Sequence, residues 1–333
     1  MVRKVNKKRF WISLIILLLI GAIILFSFKS KGLESNVKIG VLLPLSGDFA
    51  DFGAGYKRGI DDSIQGGFEF VFEDDKCDPI GAINGFRKLT DIDNVKYIIG
   101  PGCGSPQEAI APLMREKEVI AILPSAAFER LYEESEGKIF QMQYSLEEES
   151  KYLANKMFEQ GYPNVVMVTY PNVFSKTHAD SFKKNFKGSL REVAIGDYSS
   201  DIYTEVTKIK EINPDAIFIT DASFFLINGL EKLDNAGINA VIFSHYVVQF
   251  DAIRSFVDGV YYSFPGDIKE EKGFEYWLGK RSSELFMEVI NKCNDDFSCV
   301  LKEIPLREDF DNKGISTRPI VLKRMEKGIP IEL

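Results

Sequence analysis

Between Val37 and Ser263, short apolar runs alternate with segments of helical spacing. Val37–Leu43 reads as an apolar, β-rich strand, Phe68–Phe72 and Tyr97–Ile99 as short buried strands, and Val119–Leu123 as the next strand. Gly55–Ile64 and Gly81–Leu89 lie between them with helical spacing, and Ser105 begins a third helix. A second series follows. Helices are expected at about 147–160, 175–187, 203–212 and 224–236, with strands at Val165–Thr169, Ala216–Thr220, Ala240–Phe243 and Val260–Ser263. Short strands separated by helices of this length predict βαβ units and parallel sheets. The chain therefore reads as α/β, and two such series predict two doubly wound parallel-sheet lobes.

A different pattern precedes this body. Trp11–Phe28 is an 18-residue apolar run after five cations, Arg3, Lys4, Lys7, Lys8 and Arg9. It reaches the lower limit for crossing a hydrocarbon core of about 30 Å. Residues 1–10 read as a cytoplasmic basic leader, 11–28 as a transmembrane helix or signal segment, and 29–35 as a linker, with the body exported. Ser30 and Gly32 leave a cleaved signal peptide open beside an uncleaved anchor. No Cys directly follows the run, which excludes a lipoprotein anchor.

Charge sharpens the division. Residues 1–32 hold seven Lys and Arg and no acid, so the rest of the chain carries 34 basic against 49 acidic residues. A body this acidic repels phosphate backbones, so no nucleic-acid partner is expected. With 45% hydrophobic and 27% charged residues, the chain is no disordered, collagen-like or coiled-coil sequence.

Cys77, Cys103, Cys293 and Cys299 all lie in the body, and an even number outside the cytoplasm suggests disulfides. Cys77 and Cys103 each fall about four residues beyond a strand, so both emerge at one edge of a parallel sheet and are expected to pair. Cys293 and Cys299 would close a small loop between helices. Four reduced thiols remain the alternative for a cytoplasmic body. Zinc fits poorly, since C-x5-C is not a usual ligand spacing and His178 and His245 lie elsewhere; no metal or cofactor is expected.

Ligands of open α/β sheets sit beyond the carboxyl ends of the strands. That rule selects Leu45–Phe52, with Ser46, and Gly100–Ser105. It also selects Ser125–Phe128, with Ala126, Tyr170–Phe174, Asp221–Ser223 and Ser244–Tyr246. Ser105-Pro-Gln-Glu108 reads as a capping box. The glycines of Gly100-Pro-Gly-Cys-Gly104 either turn the chain tightly or bring helix N–H groups to an anion such as a carboxylate.

Several stretches resemble the type I periplasmic binding proteins, the receptors of branched-chain amino-acid and amide transporters. They are Val37-Lys-Ile-Gly-Val-Leu-Leu-Pro-Leu-Ser-Gly47, Glu73-Asp-Asp-Lys-Cys-Asp-Pro79, Lys96-Tyr-Ile-Ile-Gly100 and Ile122-Leu-Pro-Ser-Ala-Ala127. The Cys293-x5-Cys299 pair before a Gly-Ile-Ser segment is similar as well. The resemblance implies two lobes joined by three crossovers, residues 36–142 plus 266–310 and 143–265 plus 311–333, closing on a small ligand by hinge motion. It implies ABC permease subunits as partners, a monomer, and an extracytoplasmic location at the membrane held by residues 11–28, or secretion if the segment is cut.

It also carries a ligand site. Gly104, Ser105, Ser125 and Ala127 would hold a carboxylate, with Ala127 lacking the hydroxyl often found there. Phe52 and Phe174 would form aromatic walls, and Ala222 loses a wall. His245 stands where the family places the acid that meets an ammonium, and Asp221 is a possible substitute. A buried ammonium without an anionic partner is costly. A ligand with a carboxylate or amide end and an apolar or aromatic body is therefore expected first, and a zwitterionic amino acid second. The short segment Gly266–Lys280, with its charged Glu270-Glu271-Lys272, suggests a trimmed first lobe.

Rival functions are weaker. Gly53-Ala-Gly-Tyr-Lys-Arg-Gly59 has one residue too many for a dinucleotide fingerprint and does not directly follow its strand. With two histidines, a Ser-His-Asp constellation has few bases, so the chain is expected not to be an enzyme, nucleotide-dependent or otherwise. A sensory ectodomain would need a partner to signal, because residues 1–10 are too short for a signalling domain.

Overall fold

Uninterrupted apolar runs such as Ile39–Leu43 and Ile120–Leu123 form central strands because helices cover both of their faces. The computed structural model describes residues 36–196, 201–268, 272–308 and 310–333. Strands β1 (Val37–Leu43), β2 (Phe68–Asp74), β3 (Tyr97–Ile99), β4 (Ile120–Leu123) and β5 (Ile139–Gln141) make one sheet in the order β2-β1-β3-β4-β5. The pairings β1–β3, β3–β4 and β4–β5 are parallel.

The second sheet has the order β12-β11-β10-β9-β8-β6-β7. Its strands are β6 (Asn164–Thr169), β7 (Ser189–Ala194), β8 (Ala216–Ile219), β9 (Val241–Ser244), β10 (Tyr261–Pro265), β11 (Ile320–Glu326) and β12 (Ile329–Glu332). From β10 to β7 every pairing is parallel. β11 and β12 run antiparallel, so this sheet departs from the wholly parallel one expected. The sequence reading missed both, along with β5 and β7. β7 is an edge strand with exposed Ser189, Arg191 and Glu192, and its polarity hides it.

The helices are α1 (Ala50–Asp61), α2 (Pro79–Arg87), α3 (Gly104–Ile110), α4 (Leu131–Glu134), α5 (Leu146–Glu159), α6 (Val173–Asn185), α7 (Tyr203–Ile212), α8 (Ala222–Asn235), α9 (Asp251–Arg254), α10 (Phe274–Cys293) and α11 (Phe297–Glu303). The chain leaves the first sheet after β5, returns after β10 into α10, and leaves again after α11 for β11. α10 covers the first sheet through Phe286, whose ring lies 5.7 Å from that of Tyr97 on β3. The second sheet packs Val165, Met167, Phe218 and Phe243 against Leu153, Met157 and Phe182.

The glycines of Gly53–Gly59 serve packing. A Cβ on Gly59 would fall 2.0 Å from the Tyr276 carbonyl oxygen, and one on Gly279 would fall 2.1 Å from that of Tyr56. The seam between α1 and α10 therefore brings backbone against backbone.

Both cysteine pairs are bonded as expected, Cys77–Cys103 and Cys293–Cys299, with Cα atoms 5.5 and 5.6 Å apart. The capping box is corrected. α3 begins at Gly104, Cys103 occupies its N-cap, and no side chain caps it. Ser105 already lies inside the helix, and Glu108 pairs with Arg130 instead. Trp11–Phe28 and Glu270-Glu271 lie outside the described residues. Among the described residues no helix is long and apolar enough to cross a membrane.

Candidate functional site

The loops at the carboxyl ends of both sheets converge on one cavity of about 210 Å³. Each side is built differently. From the first sheet, β3 ends at Ile99 and the chain turns through Gly100, whose φ of +105° admits only glycine comfortably. A Cβ there would meet the Leu42 carbonyl oxygen at 1.9 Å. The turn delivers Gly102, Cys103, Gly104 and Ser105 to the cavity, with Cys77 alongside through its disulfide. β4 delivers Ser125 and Ala126, the latter in the left-handed region at φ +48°. Buried Gln107 ties the two loops by donating Nε2 to the Pro101 carbonyl at 3.0 Å and the Ser125 carbonyl at 2.5 Å.

From the second sheet come Asn172 and Phe174 after β6, Asp221 after β8, and His245, Tyr246, Val247 and Phe250 after β9. Asn172 caps α6 by accepting from the Ser175 N–H at 2.8 Å, and its Nδ2 donates to Asp221 Oδ2 at 2.7 Å. The Asp221 carboxylate thus faces the cavity from a fixed position. Phe49 and Phe52 arrive from the turn into α1, and the Phe52 and Phe250 rings meet edge to face at 5.3 Å.

Tyr246 joins the two sides. Its phenol oxygen accepts from the Ala126 N–H at 3.0 Å and shares a hydrogen bond with Ser125 Oγ at 3.1 Å. Behind it, the Tyr246 N–H donates to Glu149 Oε1 at 3.2 Å. That oxygen also accepts from Tyr144 at 3.2 Å and from Ser263.

A buried titratable cluster extends from this point. His178 and His245 stack at 4.8 Å, and Phe174 lies edge-on to both. His178 Nδ1 bonds Ser150 Oγ at 2.6 Å, while its Nε2 lies 3.7 Å from Glu149 Oε2, too far for a hydrogen bond. Burial lowers His178 to about 3 and holds His245 well below its ordinary value. Burial raises Glu149 to about 8, against the three hydrogen bonds that pull it down. All three side chains are therefore neutral at neutral pH.

As pH rises from about 4.5 to about 8, the unfolded chain gives up the Glu149 proton while the folded chain keeps it, so stability falls. His178 acts oppositely, lowering stability as pH drops from its ordinary 6.5 toward 3. Glu149→Gln is expected to shrink the drop in melting temperature between about pH 5.5 and about pH 8.5. An undiminished drop in the variant would assign that loss to other groups.

Of the residues singled out from sequence, Phe52, Gly104, Ser105, Ser125, Ala126, Phe174, Asp221 and His245 line the cavity. Ser46 does not. It turns away to bond Asp74 Oδ2 at 2.5 Å and braces the β1 loop. Ala127 is buried outside the lining, its carbonyl accepting from Leu146 N–H at 3.0 Å. The side chain of Ala222 lies outside the described residues. Phe49, Gly102, Asn172 and Tyr246 had been reached only as members of the selected loops, and Val247 and Phe250 lie just beyond them. Among the described residues, no group of three or more His, Cys, Asp or Glu side chains is arranged to hold a metal ion.

Two sheets whose parallel strands turn their carboxyl ends to one cavity define the periplasmic-binding-protein class of α/β fold. The chain belongs to that family: a model described as "Periplasmic binding protein" matches residues 36–265. Among curated proteins, it is 27% identical over 118 residues to the Leu/Ile/Val-binding protein of Escherichia coli K12. It is 29% identical over 119 residues to the leucine-, isoleucine-, valine-, threonine- and alanine-binding protein of Pseudomonas aeruginosa. Each match spans 32% of this chain and 32% of the relative's length. The fold is similar to that of a leucine-binding protein from Thermotoga maritima, with a TM-score of 0.78, 17% identity, and coverage of 89% of this chain and 97% of that one. A solute-binding protein from R. palustris in complex with benzoate gives a TM-score of 0.79 at 16% identity, covering 90% and 96% of the two chains. The fold is thus of the type I periplasmic-binding-protein kind with parallel sheets.

Proposed function

We propose that this chain is the extracytoplasmic solute-binding component of an ABC-type transporter. Residues 11–28 tether it to the membrane, and it works as a monomer that delivers its solute to permease subunits. Residues 36–142 plus 266–310 and residues 143–265 plus 311–333 act as the two lobes. The single observation that carries the reading is the cavity, walled on one side by loops of the first sheet and on the other by loops of the second. Three chain crossings between the sheets suit hinge closure. The two disulfides suit an oxidising compartment.

The solute is small, with an apolar body and a polar head. Phe49, Phe52, Phe174 and Phe250 receive the body. Asp221 bears on the head. The described lining residues include no Lys or Arg, and a neutral His245 offers no positive charge. A carboxylate placed about 5 Å from Asp221 would be repelled by roughly 3 kcal/mol at an effective dielectric of about 20, and an ammonium attracted by a similar amount. That reverses the order expected from sequence and puts ammonium-bearing solutes ahead of simple acids.

Thermal melting of the full-length chain with a panel of amino acids, amides, amines and aromatic acids tests the function. A solute that binds only the folded chain at about 100 times its Kd adds about 2.7 kcal/mol, and the melting temperature rises accordingly. A panel without any such rise would count against solute binding.

A further inference from the structure

The chain between β9 and β10 belongs in sequence to the second lobe, yet its side chains land on the first. The Tyr246 phenol oxygen accepts from the Ala126 N–H and shares a hydrogen bond with Ser125 Oγ, both just beyond β4. Phe250 is buried. Its ring meets Phe52 at 5.3 Å and Tyr56 at 6.2 Å, both on α1, and Phe274 at 6.2 Å, at the start of α10. One residue further, the Asp251 N–H donates to Glu275 Oε1 of α10 at 2.8 Å, and the Asp251 carboxylate pairs with Arg58 of α1 at 3.1 Å. A Cβ on Gly273 would stand 3.0 Å from both Asp251 carboxylate oxygens, so the two chains approach closely there as well.

Every one of these contacts is made by the protein's own groups. They run from the cavity to the surface. Tyr246 and Phe250 line the cavity, whereas the Arg58 and Asp251 side chains are 54% and 35% exposed. One segment is therefore both a wall of the cavity and a bond between the lobes. Parting the lobes hands the Ala126 N–H and the Tyr246 phenol to water at little net loss, while exposing the Phe250 ring opposes it.

We infer that Tyr246–Arg254 is an inter-lobe latch. It holds the lobes together through the protein's own contacts, and a solute passes in or out only when it releases α1, α10 and the Ser125–Ala126 loop. The lobes are then shut in solution before any solute is added, and release of the segment sets the rate of exchange. This rests on the two-lobe reading above and adds a gate to it.

The test needs no solute. Nitroxide labels at Asp48→Cys, in the turn before α1, and Lys176→Cys, on α6, report the spacing of the lobes in the full-length chain in detergent by double electron–electron resonance. Both positions are exposed, and the four native cysteines, bonded in pairs, take no label. The labelled chain is expected to give one narrow distance. Tyr246→Phe leaves the Ala126 N–H without its acceptor only while the lobes are shut, so the ratio of open to shut is expected to rise at least tenfold. Arg58→Glu sets like charges together at Asp251, and with both substitutions a second, longer distance is expected to dominate. Hydrogen exchange at the Asp251 amide, which Tyr246→Phe does not touch, is expected to quicken by the same factor. A broad or long distance in the labelled chain without further substitution overturns the latch, and so does an unchanged narrow one in a folded double variant. Arg58→Glu alone, at an exposed position, serves if Tyr246→Phe does not fold. Either result leaves solute binding to the melting panel, which does not depend on it.

Discussion

Gly59→Val is expected to lower folding stability by about 3 kcal/mol or more, at the upper end of what overpacking costs. The side chain has nowhere to go. Its Cβ would lie 2.0 Å from the Tyr276 carbonyl oxygen and 2.8 Å from the Lys280 nitrogen, and both are backbone atoms of α10. Neither can rotate out of the way as a side chain could. Relief requires α1 and α10 to separate, which opens the interface that also buries Tyr56, Leu278 and Glu275. Urea denaturation, with the midpoint shift read at constant slope, measures the loss. Gly66→Ala is the matched control, because nothing lies within 4 Å of a Cβ at that position. Its effect is expected to stay within about 0.5 kcal/mol. Equal effects of the two substitutions would show that the seam is not as tight as its geometry states.

Opening the Cys77–Cys103 bridge by the paired substitution Cys77→Ser and Cys103→Ser is expected to cost about 3.5 kcal/mol in the chain-entropy description, given a sequence separation of 26 residues. The Cys293–Cys299 bridge, with a separation of 6, is expected to contribute about 2 kcal/mol. The larger difference lies in binding. Cys77 and Cys103 both line the cavity, and Cys103 is the N-cap of α3. The first pair of substitutions is therefore expected to weaken solute binding at least tenfold, and the second to leave it near wild type. Melting curves and calorimetry on both double variants separate the two contributions. Loss of binding in the Cys293 and Cys299 variant alone would contradict this assignment.

Much of the architecture was legible because it rests on local pattern. Ile39–Leu43 and Val165–Val168 are apolar throughout, and a strand covered on both faces suits that. The rule that ligands gather beyond strand ends placed Asp221 and His245 near each other without knowledge of where either side chain points. What could not be read was tertiary. Ser46 belongs to a promising loop, yet Asp74, 28 residues away, takes its hydroxyl. Ser105 satisfies every local preference for a cap, but the disulfide and the glycine turn start the helix one residue earlier than Ser105. Tyr246 gave no signal of its own, since its role depends on a partner 120 residues away in sequence. The hairpin of β11 and β12 escaped because Lys323, Arg324 and Glu326 break the apolar run.

The seam between α1 and α10 also governs the order in which a nascent chain can be completed. α1 is made before the second sheet, but the helix that covers it spans Phe274–Cys293 and is made only after β10. Until synthesis reaches that point, the glycine face of α1 and the Tyr97 side of the first sheet have no cover. A polypeptide emerging from the ribosome or threading a translocation channel can finish its second sheet from β6 to β10 before its first half is sealed. Stalling short of residue 274 would leave a product whose earliest-made half is the part open to proteases.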